Sequence, residues 1–186
     1  NIRLSYKMYF TAAYYYGIIF SLKGGDYLDI QKIKSPLNEL LPLIEGCINN
    51  KGCFPLTVTG TSMLPTLVPN RDLVYLVSPL EMPPKKYSIV LFKRDNGKIV
   101  LHRIIKELKN DRLLINGDGQ FWTEVIASSQ IVAVVRAYRR NGKIKKCTGN
   151  FVRLYTFVWC GLKPIRPLFF KLAGIFNKLR RKNSNK

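Results

Sequence analysis

Six short runs of apolar or alternating residues, each bounded by turn-forming residues, restrict the fold of this chain more than any other feature. They cover residues 56–59, 73–77, 87–92, 98–105, 112–115 and 130–138. Runs of this length are typical of β-strands and are short for packed helices. Asp95-Asn96-Gly97 separates two of the runs as a hairpin turn would, and Asn141-Gly142 follows the last run in the same way. We therefore expect a mainly β domain.

One short helix is expected ahead of the strands. Ser35-Pro36 has the residue types of a helix N-cap and first turn. Pro42 is expected to kink or restart this helix. Apolar residues at helical spacing give it one apolar face: Leu37, Leu40, Leu41, Ile44 and Ile48. The helix and the strands together predict a domain over residues 35–148.

Residue counts exclude several classes of protein. The chain has 186 residues, 47% of them apolar, which is enough for one domain with a buried core and unlike a disordered chain. It holds a single histidine, His102, and four scattered cysteines. These residues do not match the ligand spacings of zinc sites, and four cysteines are too few for a disulfide scaffold of this size. We expect neither a metal nor another cofactor.

Positive charge is concentrated at the C-terminal end. The net charge is +20, the last acidic residue is Glu124, and residues 136–186 hold 15 of the 31 Lys and Arg residues. In the segment 149–186, Leu168, Leu172 and Ile175 recur at helical spacing among the cations. This pattern predicts a basic amphipathic tail that lies on an anionic membrane surface, although a helix packed on the domain fits equally well. Nucleic acid is a less suitable partner, because the aromatic residues follow a helical face and form no stacking platform on strands.

The first 34 residues form an apolar N-terminal segment. Residues 8–22 carry no charge, but this run is short for a transmembrane helix and lacks a small-residue cleavage site before Lys23. Pro164 and Pro167 likewise interrupt the tail, so it is not expected to span. An interfacial anchor and a segment without a membrane role both fit residues 8–22. The two ends together predict peripheral membrane association.

Three short motifs in the β region carry possible chemistry. The first is a loop after the run 56–59, in which Gly60 and Thr61 precede Ser62 and are followed by Met63 and Pro65. A serine on such a loop is a candidate nucleophile, with adjacent backbone N–H groups available to bind an oxyanion. Serine and threonine are also common in turns for purely local reasons.

The second motif contains His102. In a strand, Val100, His102 and Ile104 share one face, so an apolar setting would hold the imidazole neutral, which is the form that a general base needs. A lone histidine in a strand is more often structural. The alternative bases are three lysines: Lys93, Lys98 and Lys106.

The third motif is the turn Asn116-Gly117-Asp118-Gly119. An aspartate between glycines is ordinary turn chemistry. Next to His102, however, its carboxylate would accept a hydrogen bond from one ring nitrogen and so direct the other nitrogen at the serine. We expect Ser62 Oγ within hydrogen-bond reach of His102 and Asp118 on the far side of the ring.

Together the motifs resemble the S24/S26 serine peptidases, which include signal peptidase I and the protease domains of SOS-type repressors. Residues 60–65 match the nucleophile box G-x-S-M-x-P, residues 87–92 the strand before the base, residues 100–104 the base position, and residues 117–118 the Gly-Asp box. The resemblance covers residues 55–136. It implies a signal-peptidase/SOS-repressor-protease-like coiled β-sheet domain.

The resemblance also implies roles for the residues. Ser62 is the nucleophile and His102 the base, as in the ER-type and spore-former-type enzymes, and Asp118 completes the site. Many signal peptidases place a serine where this chain has Gly60. The oxyanion would then be bound by backbone N–H groups, chiefly that of Ser62, with the Thr61 hydroxyl as a further donor.

The expected function is that of a serine endopeptidase of signal peptidase I type, which cleaves a preprotein or precursor peptide through an acyl-enzyme. Two alternatives remain open at this point. One is a dedicated maturation protease for a small modified peptide. The other is a non-catalytic protein that binds a membrane surface and has the same fold.

Overall fold

The computed structural model describes residues 37–147 and 150–162. Within these residues, eight strands form one curled, half-barrel antiparallel sheet, accompanied by two α-helices and one short 3-10 helix. The mainly β class expected from the sequence is confirmed. The predicted apolar segment 1–34 and the cations and leucines of the tail beyond residue 162 lie outside the described residues.

The elements follow one another along the chain with short connections. Helix α1 spans Leu37–Asn49 and helix α2 spans Asn150–Gly161, with the 3-10 helix at Ser128–Gln130. The strands are β1 (Phe54–Thr57), β2 (Leu73–Val77), β3 (Ile89–Lys93), β4 (Ile99–Glu107), β5 (Arg112–Asn116), β6 (Glu124–Ala127), β7 (Ile131–Arg140) and β8 (Lys143–Lys146).

The strand order in the sheet is β1-β2-β7-β3-β4-β5-β6. β7 is long enough for β3 to pair with its first half while β8 pairs with its second half. β4 lies between β3 and β5, and β6 is the edge strand beyond β5. Residues of β4 and β6 are therefore separated by one strand only, although they are far apart in sequence.

Both faces of the sheet are buried at β3. Ile89 and Leu91 belong to the core that packs under α1, which also contains Ile44 of that helix. Val90 and Phe92 belong to a second core on the other face. Alternate residues of a strand point to opposite faces, so a strand covered on both sides is apolar on both faces, as β3 is over residues 89–92.

Helix α2 is the described part of the predicted tail, and it packs on the domain. Thr156 is buried, while Leu154, Phe157 and Val158 are exposed. Neither described helix is long and apolar enough to cross a membrane.

Candidate active site

Strand β4 places His102 and Arg103 at consecutive positions, so their side chains leave the sheet on opposite faces. Both side chains are buried. Each is hydrogen-bonded to a carboxylate from a later part of the chain. The candidate site is built around these two pairs.

His102 lies against the second core. Its ring centroid is 5.9 Å from that of Phe92, and only 1% of the residue is exposed. This burial lowers the pKa of the imidazole, and the charge of Arg94 lowers it further, against the opposing effects of Glu124 and Asp118. The net shift is downward, so His102 is neutral at neutral pH, as expected from its apolar strand position.

Glu124, the first residue of β6, is the carboxylate bound to His102. Its Oε1 lies 2.9 Å from His102 Nδ1, and Arg94 donates to both carboxylate oxygens at 2.7 and 2.8 Å. Burial opposes ionisation of Glu124, but the bonds from Arg94 and His102 outweigh it and lower the pKa of this carboxyl. An ionised carboxylate only accepts hydrogen bonds, so Nδ1 of the neutral ring carries the proton. Nε2 is then the basic nitrogen.

Nε2 of His102 is buried and has no hydrogen-bond partner among the described residues. Leaving a buried polar atom unpaired costs about 1–3 kcal/mol, so such atoms are rare outside functional sites. The expected hydrogen bond between Ser62 Oγ and His102 is therefore not formed in this structure. A nitrogen in this state is ready to accept a proton from a group that approaches it.

Asp118 does not occupy the position expected for it. Arg103 donates to both of its carboxylate oxygens, from Nε at 2.9 Å and from Nη2 at 2.6 Å. The carboxylate that bonds the imidazole belongs to Glu124 instead. A guanidinium offers a carboxylate two parallel, charge-assisted donors, whereas a neutral imidazole offers one N–H, so Arg103 is the stronger partner for Asp118.

The nucleophile loop, residues 60–67, is joined to the turn that carries Asp118. The N–H of Gly119 donates to the carbonyl oxygen of Ser62 at 2.8 Å. A Cβ atom on Gly117 would lie 2.6 Å from that same oxygen. Only glycine permits this approach, which explains the glycine before Asp118 and ties this motif to Ser62.

The remaining residues of the predicted loop have different surroundings. Met63 is 1% exposed and belongs to the core under α1, so it anchors the loop beside Ser62. Thr61 is exposed, and Gly60 has open space where a side chain would be. Pro65 is also exposed and follows a cis peptide bond. The loop is thus anchored at Met63, while Gly60, Thr61 and Pro65 are open to solvent.

Helix α2 closes the side of the site that faces Asp118. Trp159 Nε1 donates to the carbonyl oxygen of Asp118 at 3.1 Å. The hydroxyl groups of Tyr155 and Thr66 lie 3.4 Å apart, which joins the helix to the nucleophile loop. Arg103 also reaches the backbone oxygen of Tyr87 at 2.9 Å. The sequence did not predict that the tail would contribute to this region.

The three candidate lysine bases are exposed. Lys93 ends β3, Lys98 precedes β4, and Lys106 lies near the end of β4. A lysine acts as a general base near neutral pH only when burial or a neighbouring cation disfavours its charge. The structure therefore favours His102 over these lysines. Within the described residues there is no cluster of three or more side chains able to hold a metal ion.

The sequence reading missed both Glu124 and Arg94. Glu124 is followed by three apolar or small residues, 125–127, which together resemble a short strand. A carboxylate at the start of such a run was the available signal for Glu124. β6 itself was not predicted, so this signal had no position in the sheet. Comparison with known proteins gives no match to a family model and no match to a curated protein.

Proposed function

We propose that this chain is a serine endopeptidase of signal peptidase I type, with the corresponding coiled β-sheet fold. The observation that carries the proposal is the state of His102. Its Nδ1 is held by a carboxylate, its burial keeps the ring neutral, and its Nε2 is buried without a partner. This combination is what a general base in a serine hydrolase requires.

The order of the four sequence motifs supports Ser62 as the nucleophile. The backbone contact between Ser62 and Gly119 joins the nucleophile loop to the Gly-Asp box, and Asp118 in turn binds the residue next to His102. Hydrogen bonds between nucleophile and base are often long in free enzymes and shorten when substrate is bound. The contact with Gly119 ties the loop to the Arg103 face of β4, opposite His102. We therefore propose that the loop moves when substrate binds, and that Ser62 and His102 meet in that complex.

In the proposed reaction, Ser62 Oγ attacks the carbonyl carbon of the scissile peptide bond while His102 Nε2 takes the hydroxyl proton. The oxyanion is bound by backbone N–H groups of the nucleophile loop, chiefly that of Ser62, and by the Thr61 hydroxyl. Collapse of the tetrahedral intermediate releases the amine, which receives the proton from Nε2. Water, activated by the same nitrogen, then hydrolyses the acyl-enzyme.

The substrate class follows from the resemblance to signal peptidases. We propose an extended segment of a preprotein or precursor peptide with small residues at the first and third positions before the cut. A dedicated maturation protease would use the same chemistry on one peptide. The two enzymes differ in how many unrelated peptides of this pattern they cleave.

The test is covalent labelling of the full chain with a serine-directed phosphonate probe, followed by peptide cleavage assays. Ser62→Ala is expected to abolish both labelling and turnover, because it removes the attacking oxygen. His102→Ala is expected to reduce turnover as completely. The matched control is Ser129→Ala, which changes an exposed serine of the 3-10 helix and is expected to leave both signals intact.

Two results would contradict the proposal. Labelling that survives Ser62→Ala would place the reactive group elsewhere. A wild-type chain that neither labels nor cleaves peptides of the expected pattern would instead support a non-catalytic protein on this fold. In that case, retention on vesicles with anionic lipid is the measurement to make.

A further inference from the structure

The carboxylate bound to His102 comes from an element that the family resemblance does not use. We propose that the pair formed by Arg94 and Glu124 is the positioning device for His102, in place of Asp118. This inference rests on the proposed function, because it assigns the role of a base to His102. It adds two residues to the site and changes the role of a third.

Three separate segments build this device. Arg94 lies in the tight turn between β3 and β4. Its backbone N–H donates to Lys98 O at 2.9 Å, and its carbonyl oxygen accepts from the N–H of Gly97 at 2.8 Å. His102 is in the middle of β4, and Glu124 begins β6. A turn and two strands thus join the guanidinium, the carboxylate and the imidazole in one line of hydrogen bonds.

The hydrogen bonds in this line all have ordinary lengths. They run from Arg94 to Glu124 at 2.7 and 2.8 Å, and from His102 Nδ1 to Glu124 at 2.9 Å. Glu124 Oε1 takes part in two of them. Such a carboxylate fixes both the rotation of the imidazole and its tautomer, while the guanidinium fixes the carboxylate.

Asp118 is already committed to the other face of β4. Its two oxygens accept bonds from Arg103, and its backbone oxygen accepts one from Trp159. Its charge still acts on His102 through space. Arg103 and His102 leave β4 on opposite faces, so Asp118 would have to move away from the buried guanidinium to bond the imidazole, which is strongly unfavourable. Asp118 is therefore assigned to holding Gly119, and with it the nucleophile loop, against β4.

The charged groups that act on His102 are Glu124 from β6, Arg94 from the β3–β4 turn and Asp118 from its loop. Glu124 stabilises the protonated imidazole, and Arg94 destabilises it. Removing one or the other should therefore move the pKa of His102 in opposite directions. This opposition shows whether both charged groups act on the imidazole, and kinetics must then show whether they serve it as a base.

The experiment uses the full chain labelled with nitrogen-15 histidine. Because His102 is the only histidine, its two ring nitrogens give the only imidazole signals. In the wild type we expect the proton on Nδ1 and a pKa below the usual value. Glu124→Gln is expected to lower the pKa further and shift the proton towards Nε2, because an amide can donate to Nδ1. Arg94→Gln is expected to raise the pKa.

Kinetics provide the second measurement. Loss of the orienting carboxylate in serine proteases reduces kcat by up to about 10⁴-fold, so we expect Glu124→Gln to reduce it by about 100-fold or more. Arg94 contacts Glu124 and not the imidazole, so Arg94→Gln is expected to reduce kcat by only about 10-fold. The acidic limb of the kcat/KM profile should move with the pKa of His102. The matched controls are Glu45→Gln and Arg112→Gln, which make the same changes at exposed positions.

The outcomes separate this inference from the proposed function. If cleavage depends on Ser62 but its rate and pH profile are unchanged by Glu124→Gln, the positioning role is overturned and the proposed function is not. A folded Asp118→Asn variant that moves the tautomer, while Glu124→Gln does not, would return the role to Asp118. If Glu124→Gln and Arg94→Gln shift the pKa of His102 in opposite directions but no cleavage depends on Ser62, the peptidase assignment is overturned. The pair formed by Arg94 and Glu124 is then structural.

Discussion

His102 and Arg103 are neighbours on β4, yet the two faces of the strand use a carboxylate in different ways. Asp118 is 0% exposed and forms a two-point ion pair with a guanidinium that is itself buried. The side chain of Glu124 is 23% exposed; both of its oxygens accept bonds from Arg94, and one of them also accepts from an uncharged ring. The first arrangement neutralises two buried charges, whereas the second leaves one basic nitrogen unpaired.

This difference separates a face with a buried ion pair from a face with an unpaired basic nitrogen. A buried ion pair contributes little net stability when intact, but removing one partner is costly because a buried charge remains. A histidine with one satisfied and one unsatisfied nitrogen is not an efficient structural element. The comparison therefore predicts a large loss of stability on the Asp118 side and a smaller one on the His102 side.

The largest effect on stability is expected for Asp118→Asn. The change leaves the buried Arg103 guanidinium without a counter-charge, and we expect the free energy of unfolding to fall by about 3 kcal/mol. Urea denaturation measures this directly. Asp95→Asn, at an exposed turn position that accepts one side-chain bond from Gln130, is the matched control. Equal effects of the two changes would contradict the structural role of the Arg103 face.

A smaller loss is expected for Trp159→Phe, which tests how α2 is attached to that same face. The variant removes the bond from the indole N–H to the carbonyl oxygen of Asp118, and a hydrogen bond of this kind contributes about 1 kcal/mol. Thermal unfolding and proteolysis of α2 would detect it. Phe157→Leu, at a position 64% exposed, should change neither. If proteolysis of α2 is unaffected by Trp159→Phe, the helix is held by other contacts.

The smallest effect is the pH dependence that His102 gives to stability. Its pKa is near 6.5 in the unfolded chain and lower in the folded one, so the unfolded chain binds more protons between these two values. Stability is therefore fully present above about pH 7 and falls as the pH decreases through 6.5. Unfolding of the wild type and of His102→Gln from about pH 7.5 to 5.5 checks this, because the variant should lose the slope. A wild type that gains stability over this decrease would contradict the burial of a neutral ring.

Much of the sheet was predictable because its strands carry local signals. Residues 73–77 were predicted as a strand and are β2, and the other five predicted runs each overlap one observed strand. β6 and β8 were missed. β6 has four residues and begins with a glutamate, and β8 has three lysines among its four residues. Such segments become strands because a neighbouring strand offers them hydrogen bonds, and no local pattern records that.

The helices show the same limit. α1 was predicted from its apolar face, with Pro42 expected to kink or restart it, and it continues through Pro42 as one element. The tail was predicted as amphipathic, but the contact of Trp159 with Asp118 depends on how the chain returns to the domain after β8. The predicted membrane binding of the tail, residues 149–186, stays a prediction.

The sequence by itself determined the class of the fold and the face of β4 on which His102 lies. These follow from alternation along a strand, which is a local property. Only the tertiary structure decided which carboxylate reaches which partner. Ile115 of β5 pairs with Glu124, and Arg103 pairs with Asn116, two residues before Asp118. These registers depend on contacts between distant parts of the chain, so they assigned Glu124 to the imidazole and Asp118 to the guanidinium.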